Sequence, residues 1–176
     1  MKAIVFFDSK IRGQIHLIDT KQGAKITLDL YGFKEKKVHA IHIHEYGNLT
    51  QGCHSTGGHY NPKNMNHGYK YPKKHVGDLI NNINPNSKGM VNLVFYDKHI
   101  KVKDVVGRAI VIHYLPDDLG KQGYEKYTLS QLQIMAKARG YKVYKTKAAL
   151  VKKFNKESLI TGNAGGRMAC SIIGIN

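Results

Sequence analysis

With 176 residues, 41% of them hydrophobic and 23% charged, the chain is long enough to bury one sizeable core. No apolar run approaches the roughly 18 residues that a membrane span needs. Twenty-eight basic against 12 acidic side chains give a net charge of +16, which favours anionic partners without choosing among small anions, nucleic acid and acidic surfaces.

Taken in chain order, the N-terminus has one positive charge, Lys2, and an apolar stretch that is too short and too quickly ended by Asp8 for a secretory signal, so a cytoplasmic location is expected. Period-two alternation or β-branched enrichment then predicts strands over Ala3–Phe7, Gln14–Ile18, Lys25–Tyr31 and Val38–His44. Further strands are predicted over Met90–Phe95 and Arg108–Tyr114, with a last one over Ala169–Ile175. The expected fold class is all-β, an antiparallel sandwich or barrel, with 1–176 as a single domain. Two stretches break the rhythm. One is a loop over 47–86, dense in Gly, Asn, His, Tyr and Pro; the other is a Lys-rich segment over 124–160. Connections of such length are usually functional or disordered, and the first holds most of the histidines.

His42 and His44 stand at i and i+2 of one predicted strand, so their imidazoles leave the same face and can reach one ion. His59, His67, His75 and Asp78 in the following loop, with His113 on a later strand, make a density that ordinary surface histidines do not explain. Imidazole donors suit copper and zinc, and a mixed His/Asp set suits tetrahedral zinc. The only cysteines are Cys53 and Cys170, with no CxxC, which excludes zinc ribbons and thioredoxin-like motifs and leaves room for one disulfide.

Several strings carry a resemblance in order along nearly the whole chain: His42-Ile43-His44-Glu45-Tyr46-Gly47, Gly58-His59-Tyr60-Asn61-Pro62, His75-Val76-Gly77-Asp78-Leu79, Gly107-Arg108 through His113, and Asp117-Asp118-Leu119-Gly120. The last and most specific is Gly162-Asn163-Ala164-Gly165-Gly166-Arg167-Met168-Ala169-Cys170. Together they resemble the copper/zinc superoxide dismutase family. The resemblance implies a Greek-key sandwich of about eight strands with two long functional loops, and one copper and one zinc ion per chain. Copper would fall to His42, His44, His59 and His113, and zinc to His59, His67, His75 and Asp78, with His59 bridging. Asp117 would orient ligands of both metals, while its neighbour Asp118 reads as a turn residue. Arg167 would dock superoxide beside copper, and His59 would deliver a proton. Cys53 and Cys170 would form the family disulfide, worth roughly 4 to 5 kcal/mol by loop closure. The implied activity converts superoxide to oxygen and hydrogen peroxide through alternating Cu(II) and Cu(I). A homodimer, loading by a copper chaperone and, for a viral source, residence in host cytoplasm or virion are further expectations. The alternative is a catalytically silent dismutase-like metal-binding protein that contacts nucleic acid through its basic insert.

Residues 124–160 depart from the family's short charged loop. They carry nine basic side chains against Glu125 and Glu157. Thr128 with Gln131 forms a capping box ahead of Leu129, Leu132 and Met135, Gly140 is a helix stop, and Thr146 caps a second helix bearing Leu150, Val151 and Phe154. A helix, a loop and a helix are expected, weakly similar to SAP-type DNA-binding hairpins. Steering of superoxide, contact with nucleic-acid phosphates, and a solvated lid all fit the segment.

Overall fold

The computed structural model describes residues 1–34 and 36–176. Strand β1 (Lys2–Asp8) turns Ala3, Val5 and Phe7 inward, and its alternation continues through β2 (Arg12–Thr20) and β3 (Gly23–Tyr31). After β4 (His39–His44) come β5 (Thr50–Cys53), β6 (Asn82–Ile83), β7 (Met90–Asp97), the single helical turn α1 (Val102–Val105) and β8 (Ala109–His113). Helices α2 (Leu129–Ala138) and α3 (Lys147–Thr161) precede β9 (Arg167–Ile172) and β10 (Gly174–Ile175).

Two antiparallel sheets face each other, ordered β10-β1-β2-β3-β7 and β6-β4-β8-β9. The chain leaves β3 for β4 in the opposite sheet and returns to β3 with β7, the long connection expected of a Greek key. Register pairs Val5 with Ile15 and Ile15 with Leu28, so one face of the first sheet is apolar along three strands. Ile41, Ile43, Ile110 and Ile112 meet that face from the second sheet. Their period of two sends His42 and His44 to the other side, where His113 joins them from β8.

The expected last strand is split. Ile173 is wholly buried and exchanges backbone hydrogen bonds with Gly107 and Arg108, after which β10 crosses to pair with β1. Within 47–86, β5 and β6 are strands that the sequence pattern did not announce. The predicted helical insert is present: Gln131 N–H donates to Thr128 Oγ1 and Thr128 N–H to Gln131 Oε1 at the start of α2, while Thr146 caps α3. α3 ends at Thr161, one residue past the expected segment, and Gly162 follows in the left-handed conformation. Tyr124, Leu132, Ala136, Leu150 and Phe154 form a second apolar cluster that shares no residue with the sandwich core.

Candidate metal centre

All seven expected donor residues come together, each buried. His42, His44 and His113 come from rigid strands; the others come from a loop fastened to β4. Tyr60 N–H donates to Ile43 O at 2.8 Å and Gly77 N–H to Tyr60 O at 2.9 Å, laying the loop along the edge of that strand opposite β8. A 3-10 turn over Val76–Asp78 brings His75 and Asp78 side by side. Asp78 Oδ2 accepts from the backbone N–H groups of His75 at 2.8 Å and Gly68 at 3.3 Å. That leaves Oδ1, which lies 2.9, 2.9 and 3.1 Å from Nδ1 of His59, His67 and His75.

The other half of the centre gathers His42, His44, His59 and His113, whose ligand atoms all lie within 4.8 Å of one another. Nδ1 of His42 and Nε2 of His59 are buried and have no partner among the described residues. Nε2 of His44 and of His113 face each other at 3.4 Å. The outer nitrogens are spoken for: Nδ1 of His44 lies 2.9 Å from Gly57 O, and Nδ1 of His113 lies 3.2 Å from Gly165 O. Carbonyl partners place the proton on Nδ1 and leave the Nε2 lone pair free to ligate. His39 lies behind the site, its Nδ1 2.9 Å from His113 O.

His42, His59, His67 and Asp78 are also mutually within 4.8 Å. Nε2 of His42, however, is held 2.7 Å from Asp117 Oδ2. Nδ1 of His75 lies 3.4 Å from that of His59 and 3.1 Å from Asp78 Oδ1, beside the second set. Asp117 spans the two halves, with Oδ2 on His42 and Oδ1 2.9 Å from Nε2 of His67.

Electrostatics suits cations. Burial lowers His42 to about 4 and His59 and His113 to about 3, and pushes His44 well below the ordinary value, so all four are neutral donors at neutral pH. Burial also acts against charge on His67, yet its hydrogen bonds to Asp117 and Asp78 carry it up to about 9. Burial would raise both carboxyls, but the surrounding imidazoles hold Asp78 and Asp117 well below the usual carboxylate range. Two unpartnered buried nitrogens, an oxygen shared by three imidazoles and two fixed carboxylates fit a pair of metal ions.

Arg167 opens β9, its guanidinium half-buried beside β5. Nη1 donates to Cys53 O at 2.5 Å, His54 O at 3.2 Å and Thr56 Oγ1 at 3.0 Å, and Nη2 to Gly57 O at 2.5 Å. Cys53 and Cys170 are disulfide-bonded, with Cα atoms 5.6 Å apart, so the segment that grips Arg167 is tied to the strand carrying it. Of the histidines not expected to ligate, His54 is exposed and His99 stacks on Tyr71. Asp118, which the sequence reads as a turn residue, does more. It accepts from Gly120 N–H, Ser158 Oγ, Tyr124 Oη and Asn163 Nδ2 at 3.0, 2.9, 2.6 and 2.7 Å. Its shared motif with Asp117 was the available signal.

A buried two-compartment His/Asp centre on a Greek-key sandwich defines a dinuclear metalloprotein. A sequence model described as copper/zinc superoxide dismutase (SODC) matches residues 11–173. The chain is 34% identical over 178 residues to a copper–zinc superoxide dismutase of Paramecium bursaria Chlorella virus 1, covering 99% of this chain and 78% of that protein. It is likewise 34% identical over 174 residues to an extracellular superoxide dismutase of Drosophila melanogaster, covering 96% and 78%. The crystal structure of the clock protein EA4 superposes with a TM-score of 0.76 at 29% identity, covering 99% of this chain and 94% of that one. The chain belongs to the copper/zinc superoxide dismutase family, and its activity is the dismutation of superoxide with copper and zinc as cofactors.

Proposed function

We propose that copper is held by His42 Nδ1 and by Nε2 of His44, His59 and His113, and zinc by Nδ1 of His59, His67 and His75 with Asp78 Oδ1. The two orphaned buried nitrogens, His42 Nδ1 and His59 Nε2, carry this assignment. Bound copper supplies the one-electron couple that oxidises one superoxide to oxygen and reduces the next to hydrogen peroxide. His59 turns one nitrogen to each compartment, and its Nε2 would hold the proton that the reduced substrate takes up. Asp117 keeps the rings of His42 and His67 in register.

Arg167 orients the anion. Its Nε–H and the second hydrogen of Nη2 have no partner among the described residues, so a planar fork is left over once the backbone of 53–57 has fixed the rest. The test joins metal analysis to pulse radiolysis. About one copper and one zinc per chain with fast superoxide decay is expected, and Arg167→Ala should slow that decay with metal content intact. An unchanged rate in Arg167→Ala would remove its role.

Exposed Tyr46, Leu49, Ile172 and Ile175, with Gly47 close to Ile172, support a homodimer, which sedimentation would measure. We place the chain in the cytoplasm; cell fractionation decides this against the extracellular location in the names of its Drosophila and Brugia pahangi relatives. Among the described residues no helix is long and apolar enough to cross a membrane. Copper loading through a chaperone is tested by metal content on expression without one. For the insert, exposed Lys147, Lys152 and Lys156 on α3 support superoxide steering. Deleting 124–160 should then cost more rate at low than at high ionic strength. A salt-dependent DNA mobility shift lost on that deletion would assign the lysines to nucleic-acid phosphates instead.

A further inference from the structure

Asp117 and Asp118 are neighbours whose side chains serve different parts of the molecule. Asp117 holds His42 and His67; three of the four donors to Asp118 lie on or just beyond the helical insert. Tyr124 Oη begins the insert, Ser158 Oγ sits fully buried near the end of α3, and Asn163 Nδ2, also fully buried, follows its cap. Asn163 is itself held, Nδ2 donating to Phe154 O at 2.9 Å and Oδ1 accepting from Tyr141 Oη at 3.1 Å. Tyr124 stacks on Phe154 with ring centroids 4.7 Å apart, so the hydroxyl is carried by the insert's own apolar cluster.

The same stretch of helix touches the metal loop directly. His67 N–H donates to Leu159 O at 2.8 Å, and Asp118 N–H donates to Gly162 O at 2.8 Å. Both ends of the His67–Asp117 hydrogen bond are therefore held by residues 158–162: His67 by its amide, Asp117 through the anchored residue next to it.

We infer that the helical insert is a clamp on the zinc compartment, with Tyr124, Ser158 and Asn163 as positioning residues that set His67 and Asp117 through Asp118 and α3. The inference rests on the zinc set proposed above. It gives the insert a task independent of its charge, because none of the groups involved is one of its lysines. Loss of a partner that orients a metal ligand typically weakens metal binding 10–100-fold. Because Asp118 has four donors, removing one should fall at the lower end and removing two nearer the upper.

The test uses the full-length, copper- and zinc-loaded protein. Tyr124→Phe with Ser158→Ala deletes two hydroxyls and keeps the aromatic stack. Zinc transfer to a chromogenic chelator should accelerate towards 100-fold. With cobalt in the zinc compartment, the visible d–d bands should shift while helical circular dichroism stays unchanged. If the double variant loses helical signal, Asp118→Asn, close to isosteric, carries the same expectation. Zinc transfer within twofold of the unaltered protein, with unmoved cobalt bands, would overturn the clamp. His75→Ala is the control for the ligand set. If it keeps zinc at the unaltered rate, the zinc assignment fails and the clamp falls with it; if it loses zinc while the hydroxyl variants do not, only the clamp fails.

Discussion

Replacing Gly162 by alanine tests the join between insert and metal centre at one atom. Gly162 has φ +61°, and a Cβ placed there would lie 2.3 Å from Asp117 Oδ1 and 2.5 Å from His67 Nε2. A left-handed alanine costs about 1–2 kcal/mol. Separating Asp117 from His67 removes a hydrogen bond to a charged group, about 1.5–3 kcal/mol. The sum, about 2.5–5 kcal/mol, corresponds to a fall in melting midpoint of roughly 5–20 °C for a chain of this size. Gly140→Ala is the matched control: its φ is +70°, but nothing lies within 4 Å of the added carbon, so only the backbone cost of about 1–2 kcal/mol applies. Calorimetry of the metal-free variants gives the stability difference, and chelator competition on the loaded ones should show zinc bound 10–100-fold more weakly in Gly162→Ala alone. If the two variants melt together and hold zinc within threefold of each other, the bridge is not what Gly162 accommodates.

Cys170→Ser should lower stability by about 4–5 kcal/mol, since it opens a loop closed across 117 positions, and should slow superoxide decay by loosening the carbonyls that hold Arg167; a fall in melting temperature without a change in rate would separate the two roles. In the metal-free protein His42, His59 and His113 bind fewer protons folded than unfolded, so stability should fall as pH drops from about 6.5 towards 4, by about 1.4 kcal/mol per pH unit for each. His67 has the opposite sign: its contribution is full below 6.5 and lost as pH rises through about 9, which puts the optimum of the metal-free protein near 6.5. Denaturant melts across pH check both arms, and a flat acid limb would refute the first. Phe154→Ala should cost about 3–5 kcal/mol of packing within the hairpin and lower helical circular dichroism while leaving the β signal in place.

Much of this architecture is legible in residue pattern. Ala3, Val5 and Phe7, or Ala24, Ile26, Leu28 and Leu30, announce one-sided strands because their burial is decided by period alone. His42 and His44 declare a shared face for the same reason, and Thr128 with Gln131 announces α2 because capping is local chemistry. The short strand β6 escaped because it is fixed by a partner far away: Asn82 exchanges hydrogen bonds with the backbone of Asp117, 35 positions on. Asp118 escaped for the same reason. A carboxylate before Leu-Gly reads as a turn, and three of its donors lie 6, 40 and 45 residues away. The residues proposed as ligands all lie in the family motifs, whereas those proposed to steady them lie partly in a segment where this chain departs from the family.

Two apolar clusters with no residue in common, joined by polar contacts, need not open together. His67 belongs by side chain to the metal compartment, but its amide is bonded to Leu159 at the end of α3. In native-state hydrogen exchange that amide should lose protection with the hairpin, at a lower opening free energy than Ile41 or Ile112 in the sandwich. Each excursion of the hairpin from the barrel would then bare one backbone bond of the metal loop, making the life of the bound ion a readout of how often a peripheral helix lets go.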